Sequence, residues 1–167
     1  MSITAQPSEA RPPEREFLRH TLATLAYRGG KVVRGMPSEV AGFKAGEGAR
    51  TPGEILAHIG DLLDWALSIA KGAEAWRNPQ PLEWHKEVER FFTAMGALDS
   101  YLASGETLHA TVERLFQGPV ADALTHVGQI AVLRRMAGVP VKGENYSVAP
   151  IVEGNVGPDQ APVKREF

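Results

Sequence analysis

The sequence contains no cysteine, which excludes disulfide bonds, thiolate metal ligands and cysteine nucleophiles. Any metal site must therefore be built from histidine, aspartate or glutamate. No apolar run approaches the ~20 residues that span a bilayer, and the N-terminal segment lacks the apolar core of a signal peptide. We therefore expect a cytoplasmic protein that has no membrane partner.

The chain also has little net charge: a formal value of -2 over 167 residues gives no electrostatic reason to bind nucleic acid. Hydrophobic residues at 43% and charged residues at 23% are typical of one globular domain. The 12 prolines and 17 glycines are many for a helical protein, and their positions divide the chain. We predict a mobile arm over residues 1–13, a helical bundle over 14–138 and an extended strap over 139–167.

Apolar residues that recur every three or four positions predict the helices. The clearest start is at Thr51, an N-cap that is followed by proline at the first helical position and by Glu54, which can bond back to the cap. Four main helices and one short one are predicted: Glu14 to about Arg34, Thr51 to about Lys71, after Pro81 to Leu102, a short helix over Leu108–Phe116, and Gly118-Pro119 to Gly138. The expected fold class is all-α, a four-helix bundle with an extra short helix.

The segment after Gly138 differs from the rest of the chain. Its glycine, proline and asparagine content excludes a helix, yet it contains apolar residues that a disordered tail would normally lack. We therefore expect an extended, irregular strap that packs on the bundle, with Tyr146 and Ile151 at least partly buried.

His58 is the first candidate for chemistry, because histidine is a common metal ligand and an acid–base group near neutral pH. At about 100° per residue, it falls on the apolar stripe of the second helix, with Ile55, Leu62 and Ile69. Taken alone, this position favours a buried histidine that is hydrogen-bonded to a neighbour.

Asp122 and His126 change that interpretation. They are four residues apart on the predicted last helix, so both side chains lie on one face and could chelate a single ion. Gln129 and Leu133 continue this stripe, with no lysine or glutamate before Arg134. The alternative is that the stripe is the solvent face, although it carries little charge for one. A buried aspartate would also need a partner.

Two segments, TPGEILAHIGDLLDWAL and GPVADALTHVGQIAVLRRMAG, resemble the DinB-like family of bacterial metal-binding four-helix bundles. The similarity covers about Phe17 to Gly138, and its most specific parts are a histidine within the second helix and a histidine followed by x-Gly-Gln in the last. The resemblance implies a divalent ion, often zinc or nickel, held by three histidines. His58 and His126 match two of them, and Asp122 stands in place of the third. A set of two histidines and a carboxylate also suits iron or manganese.

The family includes bacillithiol S-transferases and mycothiol-dependent maleylpyruvate isomerases, in which the metal activates a low-molecular-weight thiol. The resemblance therefore implies a metal-dependent enzyme that uses an external thiol and acts on a small molecule. The replacement by Asp122 favours the competing hypothesis, a non-catalytic stress-related or small-ligand-binding bundle with a vestigial site. Bundles of this kind often pair through an exposed helix face, so a homodimer is also an expectation.

Other polar residues are weaker candidates. Asp61 and Gln129 each lie one turn from a predicted ligand and could support it by hydrogen bonding. His109 and Glu113 form another pair spaced four residues apart, but their helix is short. The remaining histidines lie among charged residues, as is typical of a solvated face: His20 and His85.

Overall fold

The computed structural model describes residues 12–167, and within this range it is helical and contains no strand. The predicted all-α fold is confirmed, whereas the predicted arm over residues 1–13 falls almost entirely outside the described residues. The helices are α1 (Pro13–Val33), α2 (Pro52–Ala70), α3 (Trp84–Ala103), α4 (Val112–Leu115) and α5 (Ala121–Met136). Short 3-10 turns occur at Ser38–Gly42 and Tyr146–Val148.

Local signals define the start of α2 and the end of α5 as predicted. The Thr51 hydroxyl accepts a hydrogen bond from the backbone N–H of Glu54 at 3.1 Å, and the Glu54 carboxylate accepts one from the N–H of Thr51 at 2.7 Å. This capping box pairs two backbone donors at the helix end. At the other end, Gly138 adopts a φ of 81°, and the N–H of Val139 donates to the carbonyl of Arg134 at 2.9 Å. Glycine takes this left-handed conformation at low cost, which is why α5 stops there.

The predicted helix break at Gly118-Pro119 is wrong. Residues Phe116–Val120 form a π turn that joins α4 to α5 in one continuous helical run. A proline ring normally clashes with the carbonyl four residues earlier, and the wider turn relieves that clash. The short fourth helix also begins later than predicted, at Val112, and Leu108 lies in the preceding loop.

The four long helices surround one apolar core, which includes twelve large side chains that are fully buried: Leu18, Leu22, Leu25, Leu56, Ile59, Leu63, Phe91, Met95, Leu98, Leu102, Leu115 and Ile130. Helix α1 continues through Gly29 and Gly30 near its C-terminal end, where α3 approaches it closely. A Cβ atom at Gly29 would lie only 2.6 Å from the Cζ atom of Phe91. Glycine at this position therefore permits the contact between the two helices.

The segment after α5 is extended and is held against α1 by a buried carboxylate. Glu144 accepts hydrogen bonds from the Tyr27 hydroxyl at 2.6 Å and from the Lys31 ammonium at 2.7 Å. Its side chain has no solvent exposure, and that of Lys31 is only 10% exposed. Burial and the hydrogen bond to Glu144 raise the pKa of Tyr27 above its ordinary value of 10.0. This buried ion pair and the phenol connect the strap to α1, together with the ion pairs Lys31–Glu166 and Arg19–Glu153.

Apolar contacts further along the strap reinforce this connection. Val156 is buried in the same core as the helices. Tyr146 and Ile151 are partly buried, as the sequence predicts, while Val152 is 63% exposed. The strap is therefore packed on the bundle at selected positions and faces solvent between them.

Candidate metal centre

The structure brings together three residues from two helices. His58 lies in the middle of α2, and Asp122 and His126 lie one turn apart near the start of α5. One ligand atom from each side chain lies within 4.8 Å of the others. Within residues 12–167, no other group of three histidine or acidic side chains shows such convergence.

The Asp122 carboxylate lies between the two imidazole rings. Its Oδ2 atom is 3.6 Å from Nε2 of His58, and its Oδ1 atom is 3.1 Å from Nδ1 of His126. The two rings are themselves close, with centroids 4.8 Å apart and planes inclined at 64°. The four-residue spacing on α5 therefore places both of its side chains against the same histidine of α2.

A backbone hydrogen bond fixes the orientation and tautomer of His126. Its Nδ1 atom lies 2.8 Å from the carbonyl oxygen of Asp122. Since a carbonyl can only accept, Nδ1 must carry the proton in this bond, which leaves Nε2 as the nitrogen that can bind a metal in the neutral ring. Histidine ligands of metals are commonly held in this way, with the non-ligating nitrogen bound to a carbonyl or carboxylate.

The centre is half enclosed. The side chains of His126 and His58 are 11% and 20% exposed, whereas that of Asp122 is 45% exposed. Burial lowers the pKa of His58 from its ordinary value of 6.5, and the charges of His126 and Arg50 lower it further. His58 is therefore held in the neutral form that metals bind. The 3.6 Å distance from its Nε2 atom to Oδ2 of Asp122 is longer than an ordinary hydrogen bond.

Trp76 completes the surroundings of His58, and the sequence analysis did not find it. It lies in the loop between α2 and α3, with its ring centroid 5.8 Å from that of His58 and 5.6 Å from that of Trp65. The ring is 47% exposed, so it covers one side of the centre while facing water on the other. The available signal was a tryptophan in a proline-containing linker, but nothing in that pattern gives its position.

Arg50, immediately before the cap of α2, is a second residue that the sequence analysis missed. It lines a small pocket of ≈ 190 Å³ together with His58 and Asp61. It also lines a larger groove of ≈ 710 Å³, which runs along α5 past Gln129. Arg50 therefore borders both spaces, and its charge acts on His58 of the candidate metal centre.

The predicted supporting roles of Asp61 and Gln129 are not seen. Asp61 is buried and accepts a hydrogen bond from Arg90 at 2.5 Å, because α3 brings that guanidinium against α2. Gln129 is exposed in the wall of the groove. Neither side chain hydrogen-bonds to His58 or His126 in the described part of the chain.

The weaker histidine candidates remain apart from this centre. His109 is exposed and lies in the loop before α4, so it does not share a helix with Glu113. The other two are exposed on α1 and α3, as the sequence predicts: His20 and His85.

No protein-family model matches the sequence, and no curated protein or solved structure is significantly similar to it. No helix within residues 12–167 combines the length and the apolar character that a bilayer span requires. The geometry of the centre and the sequence motifs are therefore the grounds on which a function can be argued.

Proposed function

We propose that the protein binds a divalent metal ion through His58, Asp122 and His126. The observation that carries this proposal is the convergence of three ligand atoms within 4.8 Å. Donor atoms that share one ion at about 2.0–2.1 Å lie about 3.3 Å from one another, so side-chain movements of about 1 Å would close the site. Two imidazoles and a carboxylate suit zinc or nickel, and also iron or manganese.

The bundle core supports such a site by fixing the backbone on both of its sides. Helices α2 and α5 pack directly against each other. The residue that follows each proposed ligand is buried in the core: Ile59, Ala123 and Val127. Because these neighbours hold the backbone, the ligands can approach an ion by small side-chain rotations without a rearrangement of the helices.

We further propose that the protein is a metal-dependent enzyme of the thiol-dependent S-transferase or isomerase type. The resemblance to the DinB-like family supports this proposal, and so does a set of three protein ligands, which leaves a coordination position open. A divalent ion bound there supplies Lewis acidity, which lowers the pKa of a thiol or a water molecule and provides the nucleophile that this cysteine-free chain lacks.

The residues of the chain have separable roles in this proposal. The main-chain carbonyl of Asp122 orients His126, while the half-exposed carboxylate of the same residue faces the side from which a small thiol would enter. Trp76 limits the access of water to His58. The Arg50 charge beside the pocket attracts anionic groups toward the centre.

Elemental analysis of untagged protein tests the ligand set. We expect about one metal ion per chain in the wild type, and none in His58→Ala or His126→Ala, because two remaining ligands rarely hold an ion. Asp122→His should retain or tighten the binding of zinc or nickel. His85→Ala is the matched control and should leave the metal content unchanged. Substoichiometric zinc, nickel, iron and manganese in the wild type would contradict the proposal.

Cobalt-substituted protein tests whether the ion activates a thiol. Addition of a low-molecular-weight thiol should produce a sulfur-to-cobalt charge-transfer band, and an alcohol of the same shape should not. The same thiol should then react faster with an electrophile in the presence of the metal-loaded protein than with the His126→Ala variant. A spectrum that does not respond to any thiol would restrict the proposed chemistry to water.

A non-catalytic ligand-binding bundle is the second proposal, and one observation favours it. Asp122 replaces the histidine of the family pattern, and its side chain is 45% exposed, so water competes for its carboxylate. This proposal expects metal-independent folding and no acceleration of thiol reactions by any metal-loaded form. Turnover that is lost in both His58→Ala and His126→Ala would overturn it.

A further inference from the structure

A groove of ≈ 710 Å³ follows the outer face of α5, and the candidate metal centre does not account for it. Its lining includes Thr125, Gly128, Val132 and Met136 of α5, and Ala45 and Ala49 of the loop before α2. Pockets that bind small molecules occupy about 300–1,000 Å³ and are mostly apolar. The groove has both the size and the lining of such a pocket.

The groove leaves apolar side chains open to water. Val132 and Met136 are 53% and 55% exposed, although an outward-facing helix surface would normally carry charges there. From Thr125 to Met136 the helix rises about 16 Å, which gives the groove its length. The Thr125 hydroxyl donates to the carbonyl of Asp122 at 2.8 Å, so one end of the groove adjoins the candidate metal centre. Val132 and Met136 are four residues apart and therefore adjoin on the helix surface, and contiguous exposed apolar surface marks binding sites.

Arg50 gives the groove a charged end. It is exposed, and among the described residues its charge acts on the Glu54 carboxylate at a distance, without a hydrogen bond or ion pair between them. It borders both the groove and the pocket that contains His58. A guanidinium group binds a carboxylate through two parallel hydrogen bonds, which makes an anionic carboxylate the natural partner of this end.

We infer that the groove binds a small amphipathic carboxylate, with its apolar chain or ring along α5 and its carboxylate on Arg50. The inference names a substrate class for the proposed function. The carboxylate is a substrate only if the protein is the proposed enzyme, so this part of the inference rests on that function. Binding of the carboxylate itself needs only the groove and Arg50, so it is expected in metal-free protein as well.

Charge complementarity favours this occupant over a second copy of the chain. Another α5 could cover Val132 and Met136, but α5 carries no acidic residue beyond Asp122. In a pairing of two such faces, the one α5 carboxylate that could meet Arg50 is that of Asp122, which the proposed metal site already uses. A small carboxylate satisfies the apolar floor and the charged end together.

Titration calorimetry with straight-chain carboxylates tests the inference, using hexanoate, octanoate and decanoate below their micelle concentrations. Each added methylene should tighten binding about fourfold until the groove is filled. Octanol, which has the same apolar chain without the charge, should bind about tenfold more weakly than octanoate. Equal affinity for octanoate and octanol, or no binding of either, would overturn the inference.

Two pairs of variants separate the contributions of charge and groove. Arg50→Gln should abolish the preference for octanoate over octanol, while Lys44→Gln, an exposed cation of the same loop that does not line the groove, should preserve it. Gly128→Leu should reduce octanoate affinity at least tenfold by filling the floor, where a Cβ atom meets open space. The matched control is Gly96→Leu on α3, also in open space and outside the groove. An unchanged affinity in Gly128→Leu would contradict the assignment.

The same titrations on metal-free and zinc-loaded protein distinguish the two proposals. Stoichiometric zinc with no carboxylate binding overturns the groove assignment and leaves the metal centre standing. Carboxylate binding in a protein that takes up no zinc, nickel, iron or manganese when these ions are supplied supports the groove and overturns the proposed metal function. Light scattering tests the remaining occupant, a second copy of the chain, by measuring the molar mass in solution. If the protein is a dimer that Val132→Asp dissociates and it does not bind octanoate, the groove is an interface between copies and the inference is overturned.

Discussion

Replacing Glu144 by glutamine tests how the strap is held on α1. The carboxylate is fully buried and accepts from the Tyr27 hydroxyl at 2.6 Å and the Lys31 ammonium at 2.7 Å. Glutamine has nearly the same shape, and its amide oxygen can still accept one hydrogen bond. The substitution therefore removes the negative charge and leaves a buried ammonium group with one fewer anionic partner.

The expected loss of stability follows from the lost anionic partner of Lys31. Removing one member of a buried ion pair costs about 3–5 kcal/mol. Lys31 also contacts Glu166 at 3.2 Å, so we expect the lower end, about 3 kcal/mol. For a domain of this size, that corresponds to a melting temperature lower by about 6–12 °C, measurable by far-ultraviolet circular dichroism at neutral pH.

The matched control is Glu166→Gln, which removes the more exposed carboxylate of the same network. Its side chain is 36% exposed, so the expected loss is below about 1 kcal/mol. If Glu144→Gln melts within about 1 °C of the wild type, or if the two variants are equally destabilised, the buried pair does not hold the strap.

Alkaline pH provides a second readout of the same network. Burial and the hydrogen bond to Glu144 raise the pKa of Tyr27 above 10.0. For Lys31, burial lowers the pKa, but the hydrogen bonds to Glu144 and Glu166 outweigh this effect and raise the pKa above 10.5. In both cases the folded protein holds its proton more tightly than the unfolded chain. The stabilisation is therefore complete below about pH 10 and declines as the pH rises further, and the decline should be shallower in Glu144→Gln.

Three further changes test the fold. Thr51→Ala removes the side-chain cap of α2 and should cost about 1 kcal/mol in chemical denaturation. Gly29→Ala places a methyl group 2.6 Å from Phe91 and should lower the free energy of unfolding by about 1–3 kcal/mol. The control Gly96→Ala meets open space and should be neutral or stabilising by up to about 1 kcal/mol. Similar free energies of unfolding for the two variants would contradict the packing of α1 on α3. Arg134→Met removes hydrogen bonds to two carbonyls at the end of α1 and should lower the free energy of unfolding by about 2–4 kcal/mol. An unchanged melting curve would contradict this prediction.

The helix boundaries that were predicted correctly depend on chemistry between near neighbours. Thr51 and Glu54 cap each other across one turn, and Gly138 ends α5 through its own backbone conformation. The break predicted at Gly118-Pro119 was wrong because the rule for proline assumes an α-helical turn. No local pattern in the sequence predicts the π turn that accommodates this proline.

For the candidate centre, too, the features that were predicted correctly from the residues alone are the local ones. The placement of Asp122 and His126 on one face follows from their spacing, because that face is set by a single helix. Their meeting with His58 depends on how α2 and α5 pack, and the sequence supplied it only through a resemblance. Trp76 and Arg50 were missed because the paths of two loops decide where they lie, and loop paths leave no periodic pattern in a sequence.

The π turn at Phe116–Val120 also sets the rotation of everything that follows it. Each residue of an α-helix advances the chain by about 100° around the axis, so the extra residue in a π turn rotates α5 by about that amount relative to α4. Deletion of one residue between positions 116 and 120 would turn Asp122 and His126 away from α2 without altering any ligand. A lineage could therefore gain or lose this centre through a change in length alone, and the number of residues in the turn is as informative about the site as the identity of its ligands.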